Sequence, residues 1–94
     1  MKITSTQTQE LFSQNWKVEN GLLSKKFKFK DFQEVIKFSN EVFKIAETQN
    51  HHPEMVIDHS QVLISINNHE EKNISDKCYF FAKAVDFINI FPSI

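Results

Sequence analysis

The apolar positions of this chain change period several times, and each change marks an element. Phe27 and Phe29 alternate with Lys26, Lys28 and Lys30, the two-residue period of a half-buried strand. This predicts a strand over 22–30, LLSKKFKFK. WKVEN (16–20) predicts the strand before it, and Asn20-Gly21 the tight turn between them, because both residues tolerate positive φ. MVIDH (55–59) and QVLISIN (61–67) predict a second hairpin around Ser60, with Val62, Ile64 and Ile66 on one face.

Between the hairpins the period lengthens to that of a helix. Asp31-Phe32-Gln33-Glu34 has the form of a capping box: Asp31 can accept from a first-turn amide and Glu34 can reach back. The helix is expected to run to about Gln49, its apolar stripe formed by Phe32, Val35, Ile36, Val42, Phe43 and Ala46 and widened by Phe38 and Ile45. Pro53 stops it and biases His52 away from helical geometry. Ser5 or Thr6 is expected to cap a short first helix over 6–14, with Leu11 and Phe12 inward. NHEEKN (68–73) reads as a polar loop, after which Ser75 is expected to cap a last helix. One stripe of that helix is Ile74, Cys78, Phe81, Ala82, Val85 and Ile88; a second is Phe80, Ala84, Phe87 and Phe91, ended by Pro92. Two stripes are more than one side of a small sheet can bury, and the simplest outlet is a partner subunit.

The order α-β-β-α-β-β-α predicts an α+β fold in two layers, a four-stranded antiparallel sheet with helices on one face. Residues 1–94 are long enough for a single domain with one modest core. The ten Phe predict that much of this core is aromatic. A net charge of −1 gives no bulk electrostatic case for nucleic acid or an acidic membrane. The alternating lysines of 26–30 can be drawn as a basic-aromatic nucleic-acid surface, but they fit the wet face of an amphipathic strand. Cys78 is the one cysteine, so there is no internal disulfide. No apolar run approaches the ~20 residues of a membrane span, and MKITSTQTQELF lacks the apolar core of a signal peptide. The expected location is the cytoplasm. The single glycine, Gly21, excludes a P-loop and a dinucleotide fingerprint, which need several glycines for close approach of backbone to phosphate.

The candidate chemistry lies in His51, His52, His59, His69, Cys78 and the acids Glu47, Glu54 and Asp76. Successive positions at a helix end diverge by about 100°, so His51 and His52 cannot point the same way. Whichever faces the sheet can meet His69, which follows the last strand. A helix C-terminus also favours a protonated imidazole, close to neutral titration. Three readings stand open on the residues alone. The histidines are surface or capping groups; or His51, His52, His69 and Cys78 hold zinc, although CxxC and HxxxH pairs are missing; or the imidazoles do metal-free general acid–base work in a partly enclosed cleft.

Glu47-x-x-x-His51-His52-Pro53-Glu54, followed by a hairpin and then His69, resembles the signature of the pterin-4a-carbinolamine dehydratase family. That signature is an acid, three residues, His-His-Pro, an aromatic in the next strand, ten positions to a histidine, then an aspartate. Trp16 before a strand, FKFKDF (27–32), the Ala46-Glu47 pair and the final helix sit in matching places, so the likeness covers about residues 11–90. It implies dehydration of a 4a-hydroxytetrahydropterin to the quinonoid dihydropterin, without metal or cofactor, and a homodimer or homotetramer. By position, His51 and His69 are the implied acid–base pair. His52 positions the pterin or shares the proton work, and Glu47 supports the group. Pro53, His59 and Asn68 are the other implied substrate-binding positions.

The departures are specific. His59 stands where the family has Tyr, Asn68 where Thr is frequent, and Lys72 and Asn73 where the loop is glycine-rich. Cys78 takes the place of the aspartate, at the third helical position after Ser75, where a carboxylate completes a cap and a thiol does so less well. Cys78 also falls on the apolar stripe, which predicts a core thiol. These departures keep a second function in view: a dimerisation or binding module with little catalysis, acting through a helical face, as some family members serve a homeodomain transcription factor.

Overall fold

The computed structural model describes residues 2–68 and 73–88, and every contact or absence below concerns those residues. The elements are α1 (Ser5–Ser13), β1 (Lys17–Glu19), β2 (Leu22–Lys28), α2 (Phe32–Gln49), β3 (Glu54–Ile57), β4 (Gln61–Ile66) and α3 (Asp76–Asp86). The fold is α+β in the expected order. The strands form one antiparallel sheet, β1-β2-β4-β3, with the two hairpins side by side and β2 against β4 at the centre.

The first hairpin turns on Asn20 (φ 53°) and Gly21 (φ 73°), with Glu19 opposite Leu22. The second is closed by Asp58, whose Oδ1 accepts the N–H groups of Ser60 at 2.9 Å and Gln61 at 2.8 Å. This bond ends β3 at Ile57 and puts His59 in the turn rather than in the strand. Across the centre Leu23 faces Ile66, Lys25 faces Ile64 and Phe27 faces Val62. The period-two pattern of the sequence thus becomes one inner face, on which Leu23, Val62, Ile64 and Ile66 are buried with the helices.

The helix caps differ from expectation in detail. α1 is capped by Thr4, one residue early: Thr4 Oγ1 accepts from Gln7 N–H at 3.1 Å, and Gln7 Oε1 accepts from Thr4 N–H at 3.0 Å. Asp31 caps α2 as expected, accepting from Glu34 N–H at 3.0 Å. The Glu34 side chain, however, reaches to Lys30 N–H at 3.3 Å rather than to the cap residue.

The inner row of α2 is Val35, Phe38, Ser39, Val42 and Ala46, while Phe32, Ile36 and Phe43 are about half exposed. The expected stripe was therefore too wide. A helix on one side of a narrow sheet can bury only one row, and β2 selects it: the rings of Phe27 and Phe29 lie 4.8 and 4.9 Å from that of Phe38. Phe12 is likewise exposed, leaving Leu11 as the buried residue of α1.

α3 buries Cys78, Phe81, Ala82 and Val85 and exposes Phe80 and Phe87, the latter at 88%. It ends at Asp86, earlier than expected, with Ile88 N–H bonding back to Val85 at 3.0 Å. Phe91 and Pro92 lie outside the described residues. Asp86 ties this end to the sheet. Its Oδ2 accepts the Trp16 indole N–H at 2.9 Å, and its Oδ1 lies 2.8 Å from Lys25 Nζ. Lys25 is a cation on the inner face, and its ammonium also sits over the Phe27 ring at 4.8 Å. Glu10 joins α1 to α3 by accepting from Tyr79 Oη at 2.7 Å and from Lys83 Nζ.

Candidate active site

The end of α2 is built so that two adjacent histidines part company. Asn50 adopts a left-handed conformation (φ 51°, ψ 47°), and its N–H bonds to the Glu47 carbonyl at 3.2 Å. His51 N–H bonds to the Ala46 carbonyl at 3.0 Å. Together these form a Schellman closure, which satisfies the last carbonyls of the helix and reverses the chain. His51 is thereby carried under the helix end, and His52 is left on the outside ahead of Pro53.

His51 is 8% exposed. Its Nε2 lies 3.4 Å from Cys78 Sγ, and its ring meets Phe81 edge-on, 6.3 Å between centroids. Cys78 is fully buried, a core thiol as its place on the stripe predicts. Ser75 precedes α3 without a side-chain capping bond; its Oγ lies 3.8 Å from Cys78 Sγ. The weakened cap expected from a thiol at this position is what the geometry contains.

His52 faces the other way. Its Nε2 is 2.9 Å from Glu47 Oε2, and both side chains are exposed. The pair forms part of the wall of an open pocket of about 280 Å³, completed by Phe43, Ala46, Pro53 and Met55. A carboxylate on Nε2 fixes that nitrogen as the one carrying the proton. The lining is otherwise mainly apolar, the character of a small-molecule site in which a few polar groups fix orientation. Phe43 and Met55, which also line the pocket, were not legible as site residues from the sequence. The only signal was spacing, since Phe43 lies one helical turn before Glu47.

The remaining expected positions divide between the two ends of the sheet. Glu54 pairs with Ser65, so β4 finishes beside the start of β3. Asn68 leaves the sheet at this end, its N–H bonded to the Asn73 carbonyl at 2.6 Å. His59 does not join them. The four residues of β3, at about 3.3 Å each, carry the turn on the order of 10 Å away. Beside it, the Asp58 carboxyl is held below its ordinary range by the Ser60 N–H, with help from Gln61 N–H. His69 lies outside the described residues. Among the described residues no three His, Cys, Asp or Glu side chains come together as metal ligands would. No described helix is long and apolar enough to cross a membrane.

The chain is similar to known proteins in sequence and in fold. Residues 1–88 match the family model described as pterin 4 alpha carbinolamine dehydratase. Similar proteins, each named by inference as a pterin-4-alpha-carbinolamine dehydratase, occur in Metallosphaera sedula and Prochlorococcus marinus. The first is 36% identical over 77% of this chain and 75% of its own length. The second is 35% identical over 92% of both. Among solved structures, a transcriptional coactivator/pterin dehydratase from Brucella melitensis superposes with a TM-score of 0.82 at 23% identity, over 94% of this chain and 98% of that one. A pterin dehydratase-like protein identified as a RuBisCO assembly factor in the alpha-carboxysome gives 0.67 at 18%, over 82% and 89%. At these identities the two structures speak to the fold alone.

Proposed function

The chain belongs to the pterin 4 alpha carbinolamine dehydratase family, and from that premise we propose that it removes water from 4a-hydroxytetrahydropterin to give quinonoid dihydropterin. The observation that carries this reading is the His52–Glu47 pair in the wall of a mainly apolar pocket. The reaction breaks the C4a–O bond. One proton must reach the departing hydroxyl, and one must leave a ring nitrogen. Imidazoles that titrate near neutrality can do both, so the step needs neither metal nor cofactor. His51, His52 and His69 share this work, and Glu47 orients His52. Pro53 and Asn68 complete the binding end.

The same reading places the protein in the cytoplasm as a homodimer or homotetramer. Phe80 and Phe87 support self-association, because they leave an apolar strip on the outer side of α3.

Freshly prepared 4a-hydroxytetrahydropterin tests the assignment. His51→Ala, His52→Ala and His69→Ala should each slow dehydration by at least ~10²-fold, the low end of general acid–base contributions. Full activity in all three variants would refute the histidine mechanism.

A second reading is a family-like dimerisation module with little turnover. It is supported by Cys78 in place of the family aspartate and by the exposed stripe of α3. This protein would then sediment as an oligomer while leaving the dehydration rate at background.

A further inference from the structure

We infer that Cys78 is a positioning residue for His51: its thiol donates to Nε2 and holds the neutral imidazole in the Nδ1–H form. The two atoms are 3.4 Å apart, and both residues are buried beneath the helix end. Phe81 covers one edge of the imidazole. Ser75 Oγ approaches the sulfur at 3.8 Å, so a buried line runs from hydroxyl through thiol to imidazole.

The direction of the hydrogen bond follows from the groups. A thiol is a weak donor and a weaker acceptor, whereas an imidazole nitrogen with a free lone pair is a good acceptor. The S–H to nitrogen arrangement therefore uses the better acceptor of the pair. The Ser75 hydroxyl can turn its hydrogen toward the sulfur, keeping all three groups engaged in a place closed to water. A carboxylate at position 78 would act in reverse. It accepts only, and would hold the proton on Nε2.

The consequence, which rests on the dehydratase reading, is a division of labour. Nδ1 of neutral His51 carries a proton and serves as a donor, so the accepting role passes to the other two imidazoles, His69 and His52, the latter giving its Nε2–H to Glu47.

Nitrogen-15 NMR of histidine-labelled protein at about pH 8, well above the ordinary imidazole value, reads the tautomer directly. His51→Gln assigns the signals. Wild-type His51 should show a protonated Nδ1 and an unprotonated Nε2. Cys78→Ser, which keeps a donor, should preserve this pattern, and Cys78→Asp should move the proton to Nε2. Protonated Nε2 in the wild type, or an unchanged pattern in Cys78→Asp, would overturn the inference. If Cys78→Asp does not fold, the wild-type spectrum still decides. The spectrum is taken without substrate, so an inactive protein with the Nδ1–H form would support this inference while refuting the dehydratase reading.

Discussion

His51 and His52 are neighbours in sequence and opposites in environment: one imidazole is buried against the Cys78 thiol, the other is exposed and held 2.9 Å from the Glu47 carboxylate. The divergence is produced by the backbone of Asn50 and exploited by two different partners. The residues that set the divergence are therefore as open to measurement as the histidines themselves.

Asn50 is the first test. Its left-handed backbone suits Asn and Gly and disfavours residues with an ordinary Cβ. Asn50→Gly should leave stability nearly unchanged. Asn50→Ala should cost about 1 kcal/mol, the low end of the left-handed penalty, by urea denaturation.

Glu47 should separate orientation from stability. The Glu47–His52 pair is exposed, and such pairs contribute little to folding. Glu47→Ala should keep the melting temperature of the wild type and lower kcat by roughly 10-fold, a fraction of a full general acid–base contribution. A stability loss with unchanged kcat would make the pair structural.

Asp86 should behave in the opposite way. Replacing it with Ala strands a mostly buried Lys25 and the Trp16 indole N–H. The expected loss is roughly 1–3 kcal/mol, by urea denaturation, with no change in the tautomer of His51.

Glu10 sets an acid limit. Hydrogen bonds from Lys83 and then Tyr79 hold its carboxyl below the ordinary 4.5. Its folded value is lowered, so its stabilising effect is complete above the unfolded value and is lost as pH falls through the folded one. Glu10→Gln should flatten the decline in the urea midpoint below about pH 4.5. An identical decline in the variant would assign acid sensitivity elsewhere.

These residues differ in how readable they were. The sheet was legible because alternation through Phe27–Lys30 and Val62–Ile66 admits one register once one face is buried. The α2 row was not, because its apolar residues spread over more than one row. The sheet, through Phe27 and Phe29, chose Phe38 over Phe32, Ile36 and Phe43. Divergence of the two histidines followed from the angle between neighbouring residues, but their assignment to inside and outside depended on the left-handed turn at Asn50. The Trp16–Asp86–Lys25 cluster spans 61 to 70 positions, with no periodic signal to announce it. His59 was misplaced because Asp58, a turn-forming side chain, was read as part of a strand.

The exposed apolar strip of α3 carries the expectation of self-association. We expect sedimentation of the wild type as a dimer or tetramer. Phe87→Glu should shift it to monomer, because it places a charge on the exposed stripe. A wild-type monomer at every concentration would exclude the helical interface.

The most direct measurement is the rate at which wild-type protein dehydrates freshly generated 4a-hydroxytetrahydropterin, followed optically against the spontaneous reaction. The account predicts saturable acceleration that persists after treatment with a chelator and is lost in a His51→Ala/His52→Ala double variant. A rate equal to the spontaneous one, under conditions where an authentic dehydratase turns over, would contradict it.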